Sequence, residues 1–119
     1  FFALKNFDEC VISFKKCAEL RPTEFEPQYY VGSFLIEKTN AALEAVNSNL
    51  NLSYEEKNEQ IAAINLTYAD AIPWLEKAHN INPSDVGTIE FLNSLCFRLR
   101  DMEGMAEKHA QYKAMKDAL

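Results

Sequence analysis

The chain has 119 residues, nearly half of them hydrophobic, and a formal net charge of −6. That size suits one compact domain, and so apolar a composition excludes a disordered tail. Three glycines, four prolines and no basic run longer than Lys15-Lys16 argue against a turn-rich all-β fold, and against nucleic acid as a partner.

The first predicted element is a helix from about Asn6 to Leu20. Phe7, Cys10, Phe14 and Cys17 stand at steps of three and four, so they share one helical face. Pro22 follows where a helix must stop. Phe1 to Leu4 reads as the tail of an earlier helix, and the opening Phe1-Phe2 in place of Met leads us to expect a fragment. Cys10 and Cys17 lie about 10 Å apart along a helix, beyond the roughly 7 Å a disulfide spans. All three cysteines are therefore expected as small buried hydrophobes.

The second predicted unit begins near Glu26 with "YYVGSFL" and continues helically through "TNAALEAVNSNL". Ser53-Tyr54-Glu55-Glu56 forms a capping box, in which Ser accepts from a free backbone N–H and Glu reaches back, so a second long helix starts there. Leu35, Ala42, Val46 and Leu50 are expected to face Ile61, Ile64 and Tyr68 across the hairpin. This returning helix repeats the first. Tyr68, Ala71, Leu75, Ala78 and Pro83 match Phe7, Cys10, Phe14, Cys17 and Pro22 at an offset of 61 residues. Pro73 lacks the N–H its turn needs, which predicts a bend near Ala69 to Pro73.

The third unit runs from about Asp85 to Leu99 and then from Asp101 to Lys116. Ile89 and Leu92 mark the inner face of its first helix. Met102, Met105, His109 and Tyr112 mark that of its second.

The recurring order of aromatic, small, bulky, small and proline resembles the second helix of a tetratricopeptide (TPR) repeat, and Val31-Gly32 with Leu35 resembles the first helix. The family unit is about 34 residues, so the spacing from Pro22 to Pro83 implies about 27 inserted residues. The resemblance implies an all-α, right-handed superhelix of antiparallel helix pairs. Its units are 1–24 (the second helix of a truncated repeat), 25–85 (a repeat lengthened into a projecting hairpin over about 38–64) and 86–119 (a terminal cap). Such a lengthened unit is similar to bacterial repeat proteins, some of them exported. We expect a C-terminal fragment of a bacterial TPR-containing protein, with a cytoplasmic or an exported location both compatible.

Catalytic signals are absent. The two histidines, His79 and His109, have no partner at metal or triad spacing, and no glycine-rich phosphate loop occurs. No apolar run approaches the roughly 18 residues of a membrane span. No enzyme activity, cofactor, metal or membrane insertion is expected.

The resemblance implies instead that first helices line a concave groove for a protein or peptide partner. The inward positions are Tyr29, Tyr30, Ser33, Ile36 and Glu37 in the second unit, and Glu90, Phe91, Ser94, Phe97 and Arg98 in the third, with Phe2 joining from the first. Aromatics at these places would anchor a ligand. Only Arg98 is basic, which argues against a role as a clamp for chaperone C-terminal carboxylates. The alternative expectation is assembly, including a homodimer, through the extended arm and the open N-terminal end, where Phe1, Phe2, Phe7 and Phe14 would be exposed.

Overall fold

A computed structural model describes residues 4–119, with side chains from Asp8 onward. The expectations placed on Phe1, Phe2 and the Phe7 side chain lie outside the described residues. The fold is all-α: α1 (Leu4–Leu20), α2 (Phe25–Ser48), α3 (Tyr54–Ile81), α4 (Val86–Arg98) and α5 (Met105–Asp117). Each helix packs chiefly on the next in sequence. The molecule measures 45 × 32 × 23 Å with a radius of gyration of 15.1 Å, against about 13.5 Å for a compact chain of this length. The long α2–α3 hairpin accounts for the excess.

The offset of 61 residues recurs in the backbone. After α1, the Arg21 N–H donates to the Cys17 carbonyl at 2.9 Å and Glu24 N–H to Arg21 at 3.1 Å. After α3, Asn82 donates to Ala78 at 2.9 Å and Asp85 to Asn82 at 3.2 Å. The helices that follow bury matching positions: Gln28 with Ile89, Val31 with Leu92, Leu35 with Cys96. Both turns are built the same way because Pro22 and Pro83 sit at the same place in each, ending one helix and setting the angle of the next.

Within the second pair the helices approach closely at Gly32. A Cβ there would stand 2.6 Å from Leu75 Cγ, and Leu75 is itself fully buried. The hairpin seam carries Leu35, Val46, Ile64 and Tyr68, all buried, with Ala42 and Ile61 half-buried beside them. Leu50, expected in that seam, is 94% exposed. α2 ends at Ser48, so Leu50 falls in the turn and no longer follows helical spacing. The capping box forms as expected: the Glu56 N–H donates to Ser53 Oγ at 3.1 Å, and the Ser53 N–H to Glu56 Oε1 at 3.4 Å. α3 then passes through Pro73 as one uninterrupted helix.

Two further expectations are corrected. Cys17 is exposed and Cys10 half-buried, and only Cys96 is fully buried. Among the described residues α1 packs chiefly on α2, so it buries only the facing positions Val11 and Ala18. α3 has neighbours on more than one side, and so its equivalent Ala78 is sealed. In the third unit α5 starts at Met105, not Asp101, behind Gly104 at φ 80°. A side chain is strained in that left-handed conformation, so glycine suits the helix start there. Met102 therefore packs from the turn preceding α5, while His109 and Tyr112 pack from the helix itself.

Gln28 joins the first two helices. It is fully buried, and its Nε2 donates to the Ala18 carbonyl at 3.2 Å and the Arg21 carbonyl at 3.4 Å. The Ala18 carbonyl lies in the last turn of α1, where no helical N–H remains to meet it, while the Arg21 carbonyl just past the helix also accepts from the Glu24 N–H. Gln28→Leu keeps the volume but removes both donors, and we expect a loss of about 1–3 kcal/mol in urea unfolding. Unchanged stability would mean that water satisfies the end of α1.

Candidate functional site

The site is lined by residues of α2, α3 and α4. Ile36 and Asn40 stand one turn apart on α2. Phe91, Ser94, Leu95 and Arg98 follow i, i+3, i+4, i+7 spacing on α4 and so share one face. Tyr68 of α3 lies between them. Together these residues line an open groove of about 280 Å³. Ile36, Tyr68 and Leu95 are buried in its floor, Phe91 is half-buried in its wall, and Asn40, Ser94 and Arg98 are exposed on its rim.

Polar contacts fix this rim. The Tyr68 hydroxyl donates to Asn40 Oδ1. The Arg98 Nε–H donates to Asn65 Oδ1 at 3.0 Å, and the guanidinium carbon lies 4.9 Å from the Tyr68 ring centroid, a cation–π arrangement. Burial pushes the Tyr68 hydroxyl above its ordinary pKa, with the Arg98 charge opposing the shift. The ring therefore stays neutral, and a hydroxyl donor, throughout the physiological range.

Of the ten residues expected in the groove, Ile36, Phe91, Ser94 and Arg98 line it. Tyr29 and Tyr30 belong to an aromatic layer beside it. Tyr29 stacks on Phe25 and meets Phe91, with ring centroids 5.4 and 6.0 Å away. Tyr30 meets Phe14 of α1 at 5.2 Å. Burial, then the Asp85 carboxylate and Tyr30, raise the Tyr29 pKa. This layer ties α1, α2 and α4 together, and Tyr30 keeps 40% of its surface exposed. Ser33 is half-buried, and Glu37 and Glu90 are exposed, outside the groove lining. Phe97 turns toward α5, where its ring meets His109 at 5.2 Å and Arg100 caps it at 4.3 Å.

Asn40, Tyr68 and Leu95 line the groove without having been expected there. Asn40 is one helical turn beyond Ile36, so extending the inward stripe along the lengthened helix finds it. Tyr68 reads in the sequence as a repeat-packing aromatic. It is buried in the core and floors the groove as well.

Behind the groove, Glu76 of α3 accepts hydrogen bonds from the Tyr112 hydroxyl at 2.8 Å and Lys108 Nζ at 2.9 Å, both on α5. The His79 ring packs edge-on against Tyr112 at 5.9 Å. Burial first, and then the hydrogen bond to Glu76, hold the Tyr112 hydroxyl well above its usual range. Burial, reinforced by the Glu76 carboxylate and opposed by Lys108, pushes the Cys96 thiol up from 9.0 to about 11. Both groups hold their protons more tightly folded than unfolded. The stability from Cys96 is thus complete below pH 9 and declines as pH rises toward 11, while that from Tyr112 declines only from about pH 10 upward. The same burial predicts selective alkylation. Iodoacetamide at neutral pH should modify Cys17 in the native chain and reach Cys96 only after denaturation, as mass spectrometry of the peptides would show.

Among the described residues no group of three His, Cys, Asp or Glu could hold a metal, and no helix is long and apolar enough to cross a membrane. No protein-family model, curated protein or solved structure matches the chain.

Proposed function

We propose that the chain is a TPR-like stack of helix pairs acting as a non-enzymatic scaffold, which holds a peptide or protein segment in the groove between α2 and α4. The observation that carries this reading is the open cleft itself. Ile36, Tyr68 and Leu95 make an apolar floor there, reachable from solvent beside a fixed polar rim. Recurrence of the same turn hydrogen bonds and buried positions at an offset of 61 residues supports the repeat architecture. The groove offers shape and apolar area, and its serine, Ser94, has no histidine or carboxylate beside it in the lining, which favours recognition over reaction.

Ser94→Trp tests the reading. Ser94 is an exposed rim residue, so an indole there fills the cleft while leaving the core intact. Affinity capture from lysate with both chains, followed by quantitative mass spectrometry, should yield binders that the variant loses. If every binder of the parent chain persists on the variant, the groove is not the working surface.

One set of observations favours the second reading, assembly. Ile12 and Leu20 on α1 are 67% and 78% exposed, and Tyr54 at the arm tip is 82% exposed. Under that reading the chain self-associates in sedimentation, and Ile12→Lys with Leu20→Lys disperses it to monomers.

A further inference from the structure

A second cavity, of about 320 Å³, adjoins the groove. Its apolar wall is Ala62 and Leu66 of α3 with Leu99 and Met102 from the turn between α4 and α5. Leu66 is 61% exposed there, and an apolar side chain of that size in water is unfavourable until something covers it. Arg98 lines both cavities and is the one cation in either lining.

The state of Arg98 matters most. Among the described residues the ion pairs are Arg21–Glu24, Lys38–Asp8, Lys108–Glu76 and Lys113–Asp117, and Arg98 belongs to none of them. Its Nε–H is given to Asn65, and its plane rests on Tyr68. Those contacts orient the guanidinium while its two terminal nitrogens make no hydrogen bond. A planar cation held this way between two apolar hollows suits a carboxylate, which it can meet with two parallel N–H donors. The chain as a whole carries a net charge of −6, and Arg98 is the cation these two linings offer to an acidic ligand. Asp101 stands on the lining of the second cavity, which disfavours a further acid there.

We infer that the groove and the second cavity together take a peptide segment in which an Asp or Glu side chain is flanked on both sides by large apolar residues. The carboxylate meets Arg98, one apolar residue enters the groove over Ile36 and Leu95, and the other covers Leu66. This inference rests on the groove reading above and adds the chemistry of the ligand.

The test is selection of a phage-displayed random dodecapeptide library on the chain and on Arg98→Gln, Leu66→Asp and Ser94→Trp variants, all matched for helicity by circular dichroism. All three positions are exposed, so the fold should survive. The expected result is enrichment of apolar–acidic–apolar sequences. By fluorescence anisotropy the best of these should bind Arg98→Gln at least about tenfold more weakly. The same loss should follow when its acidic residue is changed to the amide, and Leu66→Asp should erase the preference for the second apolar residue. Enriched peptides that carry no acid, or that bind Arg98→Gln unchanged, overturn the inference. If those peptides still fail on Ser94→Trp, the groove reading survives alone. Absence of any peptide sensitive to Ser94→Trp overturns both.

Discussion

Gly32→Val is expected to lower the stability of the chain by about 3 kcal/mol, with overpacking as the dominant cost. The new Cβ alone would stand 2.6 Å from Leu75 Cγ and 2.7 Å from Cδ2, inside the distance at which two carbons repel. Leu75 is fully buried, so to retreat it must press on the core around it. Gly32→Ala sets two effects against each other. Alanine favours a helix over glycine by roughly 0.5–1 kcal/mol, while forcing the helices apart costs about 1–3 kcal/mol. Packing should win, leaving the alanine variant destabilised but less than valine. A double-mutant cycle with Leu75→Ala checks the mechanism. Removing Leu75 creates room for the new methyl, so the pair should be less destabilised than the sum of the singles by about 1 kcal/mol or more. An alanine variant more stable than the parent would show that α2 and α3 do not meet this closely.

Tyr68→Ala carries the other large effect. Its ring is 4% exposed, lies in the continuous core and floors the groove. Truncation should cost about 3–5 kcal/mol, the range for large aromatic core residues. The loss includes the surface on which Arg98 rests. Tyr68→Phe separates the contributions. It keeps the ring and removes only the hydroxyl that donates to Asn40, so about 1 kcal/mol is expected. Chemical denaturation of the three chains measures both. A small effect of the alanine variant would indicate that the ring is not a structural element of the hairpin, and any ligand binding it supports would then need another floor.

The ends of α1 and α3 and the start of α3 were legible because their signals are chemical, whereas the end of α2 was carried on to Leu50, past its border at Ser48. Pro22 and Pro83 forbid continuation, and Ser53 with Glu56 forms a reciprocal cap. α5 was placed too early because nothing in Asp101-Met102-Glu103 opposes a helix locally. Its start depends on the left-handed turn at Gly104, a property the periodicity of Met102, Met105, His109 and Tyr112 does not carry. The cysteines show the limit of a repeat argument. Cys17 and Ala78 occupy equivalent positions, yet burial depends on how many neighbours a helix has, and α1 has fewer than α3. The groove was half legible. Ile36, Phe91, Ser94 and Arg98 were expected there only through the resemblance to TPR first helices. Asn40 and Tyr68 required knowing how far the lengthened pair extends along the cleft, and Phe97 required knowing that α5 draws its ring away.

Neighbour-to-neighbour packing has a kinetic consequence. Because each helix rests chiefly on the one before and the one after it, most native contacts close short stretches of chain, at small entropic cost. Such topologies fold in microseconds to milliseconds. We expect the α2–α3 hairpin, with its own cap and seam, to form first, and α1, α4 and α5 to add to it. Amide exchange should follow that order in reverse: fastest in α5 and at the outer face of α1, slowest where Gly32 meets Leu75.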